Sequence, residues 1–300
     1  MNTFELYIST QRGAGFRLPF TGPSSWDEVS VKQAVAIMRW RAVANSQPAT
    51  QFAVLQMLYQ MKPKQQRWLF DERFLRQQGL DDDDRATFLE YGQSVIDLIR
   101  WAGETEPGAD FLVKKFRRFD FRYGTPGVLL RRLWYRKQYF APAEALGDCT
   151  FEEFICAEKA YRTDKLAELA TVLYRPQRQG EREAFSSKTL AERTALFADL
   201  DPALLQLIAS QFDASLQYLQ SCFRYVFPKK QVIEGAEVPK TNKPAGNWLD
   251  VAINMAKLDA TKVGLIEQLN LYLALKVLNE QMRQADELEK QLEKAKNKSR

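Results

Sequence analysis

The sequence predicts a mainly α-helical, multi-helical globular protein with a few short N-terminal and central strands and a long C-terminal helix. Along most of the 300 residues, apolar side chains recur at intervals of three and four, which is the spacing of one helix face. Capping residues precede several of these stretches, and prolines or glycines follow them. A hydrophobic content of 45% is enough for a sizeable core.

The first twenty residues predict a short hairpin. Apolar and polar residues alternate over 4–8, which favours a strand with one apolar face. Glycines at 13–15 favour a turn. Residues 16–20 then read as an edge strand, because Pro19 cannot donate a hydrogen bond to a sheet.

Helices are predicted from there to residue 78. The first runs to about Asn45, and either Ser25 or Ser30 is suited to cap it. A second is expected over 48–61, and one or two shorter ones over 63–78.

Four consecutive aspartates, 81–84, stand directly before the next apolar helical pattern. Negative charge is stabilised at a helix N-terminus, so we interpret the run as capping. A calcium loop alternates its carboxylates and needs a glycine and a distant glutamate, which this run lacks. No metal site is expected here.

The segment 111–140 is basic and aromatic. It holds nine lysines and arginines against one acid, Asp120, interleaved with phenylalanine, tyrosine and tryptophan. Surfaces that bind single-stranded nucleic acid combine these residue types, but the net charge of the whole chain is only +5. Three interpretations stay open: nucleic-acid binding, docking of an acidic protein, and a solvated face over an aromatic core.

A complete set of helix signals lies between residues 147 and 176. Thr150 and Glu153 form a Ser/Thr-x-x-Glu capping box. Apolar residues then follow with helical spacing, Thr163 and Asp164 are suited to cap a second helix, and Pro176 stops the pattern. Two short amphipathic helices are expected.

Composition argues against most catalytic chemistry. The chain has no histidine, and its three cysteines show no Cys-x-x-Cys spacing, so we expect reduced, buried thiols, no metal site and no cofactor. No glycine-rich phosphate loop is present, and Glu152, Glu153 and Glu158 are expected at exposed helix positions. The chain is therefore interpreted as a non-enzyme, although glycosidases show that carboxylates alone can catalyse.

The C-terminal half predicts more helices. One is expected over 190–200, and Pro202 suits the first turn of the next. A polar, proline-containing linker is expected over 229–247. A short helix then runs to about Leu258, and a single long helix begins near Thr261. The distal part of that helix is too polar and too short in regular heptads to form an autonomous coiled coil, and it is expected to project into solvent or meet a partner.

These patterns divide the chain into four segments. Residues 1–140 are a mostly helical region with short strands and the basic aromatic segment, and 141–228 are a helical region. Residues 229–247 are the linker, and 248–300 are a C-terminal helical region with a projecting tail. With neither a signal-like N-terminus nor an apolar run long enough to span a membrane, a cytoplasmic protein without membrane association is expected.

Three blocks resemble tail proteins of tailed phages and prophages, particularly the tail assembly chaperone-like proteins of phages of Bacteroidetes. The first is Ser-Trp-Asp-Glu-Val-Ser at 25–30, which precedes a helix. The second is 146–176, ending in Val-Leu-Tyr-Arg-Pro. The third is 248–278, with a tryptophan-bearing helix and Asn-Leu-Tyr at 270–272 in a long helix.

The resemblance implies an assembly factor in the host cytoplasm that binds the tape-measure protein and tail-tube subunits and keeps their helical surfaces from associating early. The alternatives are a structural component of the virion tail and a nucleic-acid-binding phage accessory protein that uses residues 111–140. Seven residues are candidates for partner binding. Four match acidic charge and three dock apolar helices: Arg117, Arg118, Arg131, Arg132, Leu278, Met282 and Leu288.

Overall fold

A computed structural model describes residues 1–9, 15–44, 50–117, 137–178, 181–227 and 248–298. The fold is mainly α-helical, with few short strands and a long C-terminal helix, as the sequence predicts. Contacts group the residues into two compact units. Unit 1 comprises 1–108 and 202–210, and unit 2 comprises 109–201 and 211–300. The four-segment division made from the sequence stays a prediction.

Unit 1 begins with the predicted hairpin. Strands β1 (Asn2–Ser9) and β2 (Gly15–Gly22) pair antiparallel, with Phe4 opposite Phe20. Those two rings stack at 4.7 Å between centroids, and Phe4 also meets the edge of Tyr59 at 5.6 Å. Gly22 is required at its position, since a Cβ there would lie 2.6 Å from the ring of Tyr59. The predicted turn lies outside the described residues.

The described residues of unit 1 form six α-helices and the start of another that continues into unit 2. They are α1 (Val31–Val43), α2 (Gln51–Tyr59), α3 (Pro63–Phe70), α4 (Glu72–Gln77), α5 (Asp82–Asp97) and α6 (Arg100–Glu104). Ser30 caps α1 through a capping box with Gln33. The Asp81 carboxylate accepts from the backbone N–H of Asp84 at 2.7 Å, so the aspartate run does cap α5.

Unit 2 is built around an aromatic core. Strands β3 (Lys115–Arg117) and β4 (Gln138–Phe140) pair antiparallel and place Phe116 opposite Tyr139. Both rings are buried against Tyr174 and Phe197. The Tyr174 hydroxyl donates to the carbonyl of Val113 at 2.8 Å, so this buried polar group is satisfied.

The other α-helices that the structure describes follow in chain order. They are α7 (Phe151–Arg162), α8 (Leu166–Leu173), α9 (Leu190–Phe197), α10 (Pro202–Cys222), α11 (Trp248–Met255), α12 (Ala260–Glu267) and α13 (Leu271–Lys298). Strands β5 (Gln177–Arg178) and β6 (Glu181–Arg182) form a two-residue ladder after α8. The first nine residues of α10 belong to unit 1 and the rest to unit 2.

Two local predictions, on helix capping and on cysteine burial, are wrong. The second cap at Thr163 and Asp164 does not form, because the Thr163 hydroxyl bonds back to the carbonyl of Lys159 at 2.9 Å. Lys165 precedes α8 instead, without a side-chain cap. The cysteines are free, but only Cys149 is buried. Cys156 is half-buried, and Cys222, the last residue of α10, is exposed.

The single helix expected from Thr261 onward is two helices, α12 and α13. The break at 268–270 has a tertiary cause. The backbone N–H of Phe151 donates to the carbonyl of Leu269, and that of Leu271 donates to Cys149, both at 2.9 Å. The Asn270 amide also donates to the carbonyl of Gly147. The chain here acts as a short β-bridge partner, so it cannot continue the helix. Across the described ranges, none of the helices is long and apolar enough to cross a membrane.

Candidate functional site

The start of α7 carries a buried carboxylate. Thr150 and Glu153 form the predicted capping box, with the backbone N–H of Thr150 donating to Glu153 Oε2 at 3.0 Å and the N–H of Glu153 donating to the Thr150 hydroxyl at 3.3 Å. The Glu153 side chain is only 1% exposed. The cap therefore fixes a negative charge inside unit 2, which requires a positive partner.

Arg175 supplies the first partner. It follows α8 and exchanges backbone hydrogen bonds with Phe140, at 2.8 and 3.2 Å. This bridge holds the residue beside α7, where its guanidinium forms an ion pair with Glu153 Oε1. Burial lowers the pKa of Arg175, and the Glu153 charge opposes that shift.

Arg182, on β6, completes the cluster. Its Nε donates to Asp148 Oδ2 at 2.7 Å, and its Nη1 donates to the carbonyl of Leu173 at 2.8 Å. Its Nη2 lies 3.4 Å from Cys149 Sγ and 3.7 Å from Glu153 Oε2. Two guanidinium groups thus face two carboxylates, and the charges balance.

A cleft of about 850 Å³ opens beside this cluster. Its walls include Phe140 and Phe185, together with Lys114, whose ammonium pairs with Asp110. The cationic groups on the walls are already engaged by carboxylates of the chain. The arrangement is that of an internal tie, which joins the start of α7 to β6 and to the segment after α8. Within the described residues, no three cysteine or acidic side chains come close enough to hold a metal ion.

The expectation that the three α7 glutamates are exposed is wrong, because two are buried and one is half-buried. Glu153 is buried by its arginine partners, and Glu158 is 7% exposed, with an ion pair to Arg162. Burial raises the pKa of Glu158, and Arg162 opposes that shift. Only Glu152 is half-buried. No local pattern indicates the burial of Glu153, because the arginines that bury it come from more than twenty residues away.

The C-terminal helix α13 carries the predicted apolar docking residues. Its first turns are part of the core, with Leu271, Ala274 and Leu275 fully buried. Leu278 is half-buried, whereas Met282 is 41% exposed and Leu288 is 60% exposed. An apolar stripe therefore starts inside unit 2 and continues along the same helix into solvent.

Ion pairs follow the opposite side of the distal half. Arg283 pairs with Glu280 at 2.6 Å and with Glu287 at 2.5 Å, and Lys290 pairs with Asp286 at 2.6 Å. The hydrogen bond from Arg283, followed by that from Gln284, lowers the pKa of Glu280 to about 2. Pairs at spacings of three and four residues favour the helical conformation of an exposed segment.

The basic aromatic segment is described only at its ends. Arg117 lies half-exposed in β3. The other three candidate arginines, Arg118, Arg131 and Arg132, lie outside the described residues. Phe111, Phe116 and Tyr139 are core residues with at most 3% exposure, so these rings are not surfaces on which bases stack.

The structure thus brings Leu278, Met282 and Leu288 onto one helix. It also shows a cluster that sequence reasoning missed, formed by Arg175, Arg182 and Glu153. In the sequence, Arg175 stands out only by its place next to Pro176, and no nearby residue indicates that Glu153 is its partner. Comparison of the chain with protein-family models, with curated proteins and with solved structures finds no match.

Proposed function

We propose that this protein is a non-catalytic assembly factor of a tailed phage or prophage that binds a helix of the tape-measure protein, with tail-tube subunits as further clients. One observation supports the proposal most strongly. The apolar stripe of α13 leaves the core of unit 2 and continues as exposed Met282, Leu288 and Leu292. The resemblance of three sequence blocks to tail assembly proteins supplies the identity of the client.

Helix-on-helix docking fits the energetics of a reversible factor. Burying one exposed leucine or methionine side chain stabilises a complex by roughly 1.5–3 kcal/mol. Association opposes this with about 4–15 kcal/mol of lost rotational and translational freedom. A stripe of a few such residues therefore binds a client moderately and releases it when the tail assembles.

The basic segment supplies the second part of the proposal. Arg117, Arg118, Arg131 and Arg132 would match acidic side chains of the client and speed its capture. The buried rings at both described ends of the segment favour this use over stacking of nucleic-acid bases.

Co-purification with the tape-measure protein tests the proposal. The full chain is compared with a chain that stops after Gln281, with a triple variant of the stripe (Met282→Glu, Leu288→Glu, Leu292→Glu) and with a variant in which the four arginines become glutamate. The control carries Arg283→Gln, Lys290→Gln and Lys294→Gln. It changes the net charge by the same amount as the triple variant of the stripe, but on the other side of α13.

We expect the truncation, stripe and arginine variants to lose the client while the control keeps it. Equal recovery with all variants would refute the proposed surfaces. The two alternative functions have their own readouts. Detection of the chain in purified particles would indicate a structural tail component. A gel shift with single-stranded nucleic acid that weakens steeply as salt rises would indicate an accessory protein that contacts phosphates.

A further inference from the structure

The distal half of α13 contains a heptad stripe with an internal symmetry. Ala285, Leu288, Leu292 and Ala295 follow one another at spacings of three, four and three. This is the a/d spacing of a coiled-coil seam. The order Ala-Leu-Leu-Ala reads the same in both directions about residue 290. Leu288 and Leu292 are 60% and 63% exposed.

The acidic and basic residues of this segment also lie mostly on opposite sides of residue 290. Residues 280–289 hold four carboxylates and one guanidinium, and residues 290–298 hold four ammonium groups and one carboxylate. Two copies laid antiparallel would place the acidic half of each against the basic half of the other. A parallel pair would set like charge beside like charge along the whole contact.

We propose that α13 pairs with α13 of a second copy of this chain, antiparallel, with a two-fold axis at residue 290. Leu288 of each copy then packs on Leu292 of the other, and Ala285 packs on Ala295. Such a contact is isologous, so each side contributes the same residues. Alanine in the outer layers lets the two backbones approach closely.

The described residues of unit 2 leave this side of the helix open to a partner. The segment after α10 contacts the other side of α13, where the backbone N–H of Tyr225 donates to the Asn279 side chain at 3.0 Å. Asn279 and Lys290 lie on the side away from the stripe, given 3.6 residues per turn. Among the described residues, the apolar side chains of the stripe over 282–295 are exposed in the single chain.

Four layers make a small interface, so the pairing is weak and depends on concentration. It covers the exposed leucines when no other helix is bound. The inference goes beyond the proposed function and does not depend on it, because pairing requires no client and is measured on the purified chain alone.

Sedimentation velocity of the full chain over a range of concentrations tests the pairing. We expect the mass to rise from one chain towards two. Leu288→Glu with Leu292→Glu should stay at one chain throughout, with a circular dichroism spectrum that shows an intact fold. A wild-type chain that remains at one copy, or a double variant that still pairs, would overturn the proposal.

Charge-block variants test the role of charge. Asp286→Lys, Glu287→Lys, Glu289→Lys makes both halves of the segment net basic, and Lys290→Glu, Lys294→Glu, Lys296→Glu makes both halves net acidic. Each variant alone should remain at one copy, and a mixture of the two should pair. A mixture that stays at one copy would count against pairing through complementary charge.

Cysteine cross-linking tests the direction, in a Cys222→Ser background. In the antiparallel pair, two copies of residue 285 lie about 15 Å apart along the axis, too far for a disulfide. Residue 285 of one copy lies level with residue 295 of the other. Under mild oxidation by diamide, Ala285→Cys with Ala295→Cys in one chain should give covalent dimers, and neither single variant should. Dimers from the single variants would show that the helices are parallel.

Discussion

Glu153 combines two contacts that depend on its charge. Its carboxylate accepts from the backbone of Thr150 and faces the guanidinium groups of Arg175 and Arg182 in a nearly dry environment. Glu153→Gln keeps the size and one acceptor but removes the charge. Breaking one side of a buried ion pair leaves the other charge uncompensated, so we expect a loss of about 3 kcal/mol in the free energy of unfolding. Urea denaturation at neutral pH measures it.

Glu152→Gln is the matched control, because Glu152 is the adjacent residue in the same helix and is half-buried. Burial first, then the carboxylates of Glu267 and Glu153, raise the pKa of Glu152 above its usual 4.5. As pH rises through 4.5, the unfolded chain releases this proton before the folded one, so the wild-type protein loses stability. Glu152→Gln should therefore be slightly more stable than wild type at neutral pH and equal to it below pH 4.5. Equal destabilisation by both substitutions would contradict a specific role for the Glu153 charge.

The three cysteines should differ in reactivity. Burial raises the pKa of the Cys149 thiol, and the Glu153 carboxylate adds to the shift. Burial, followed by Glu152, raises the pKa of Cys156 to about 11. Only the thiolate attacks a disulfide reagent, so at pH 8 Cys222 should react first, Cys156 slowly, and Cys149 only after unfolding. Mass spectrometry of the labelled peptides over time checks this order. Early labelling of Cys149 would show that the cluster around Arg182 is open.

At the scale of the element, the capping box of α7 has a measurable effect. Thr150→Ala removes the acceptor for the backbone N–H of Glu153, and loss of a helix cap costs about 1 kcal/mol. The control is Thr163→Ala, since the Thr163 hydroxyl caps no helix N-terminus and bonds back to the carbonyls of Lys159 and Ala160 within the last turn of α7. We expect the control to change the unfolding free energy by less than about 0.5 kcal/mol. Thermal denaturation of both variants decides the comparison, and an equal loss in both would contradict the assignment of the cap.

Elements with local signals were predicted well. The hairpin, the caps at Ser30 and Asp81 and the box at Thr150 depend on residues within four positions of each other, or on alternation over eight. The break between α12 and α13 was missed because its cause is a backbone bridge from Asn270 to Thr150, far away in the chain. The helical pattern through 268–270 carries no sign of that bridge.

The same distinction applies to the candidate site. The apolar residues of α13 could be placed on one face from spacing alone, because helix periodicity decides which residues share a face. The buried cluster could not, since Arg175 and Arg182 meet Glu153 only when β4, β6 and α7 come together in unit 2. From the sequence alone, charged residues are expected to be exposed. Only partners from distant parts of the chain reverse that expectation.

At the scale of the whole molecule, client binding and self-pairing would use the same side of α13, so the two states exclude each other. A chain that pairs with itself is competent for a client only in its unpaired fraction, and its apparent affinity falls by that fraction. The basic and acidic charge-block variants keep Leu288 and Leu292 and should lose self-pairing.

Both variants should therefore bind the tape-measure protein at least as tightly as the wild-type chain. The gain should be greatest at chain concentrations where wild type is mostly paired. Titration of the client at two chain concentrations, followed by fluorescence anisotropy, measures the difference. The two variants carry opposite charge, so direct attraction to a charged client would strengthen binding by one variant and weaken binding by the other. Stronger binding by both variants would therefore come from the loss of competing self-pairing. Weaker client binding by both would mean that the paired form is the one that holds the client.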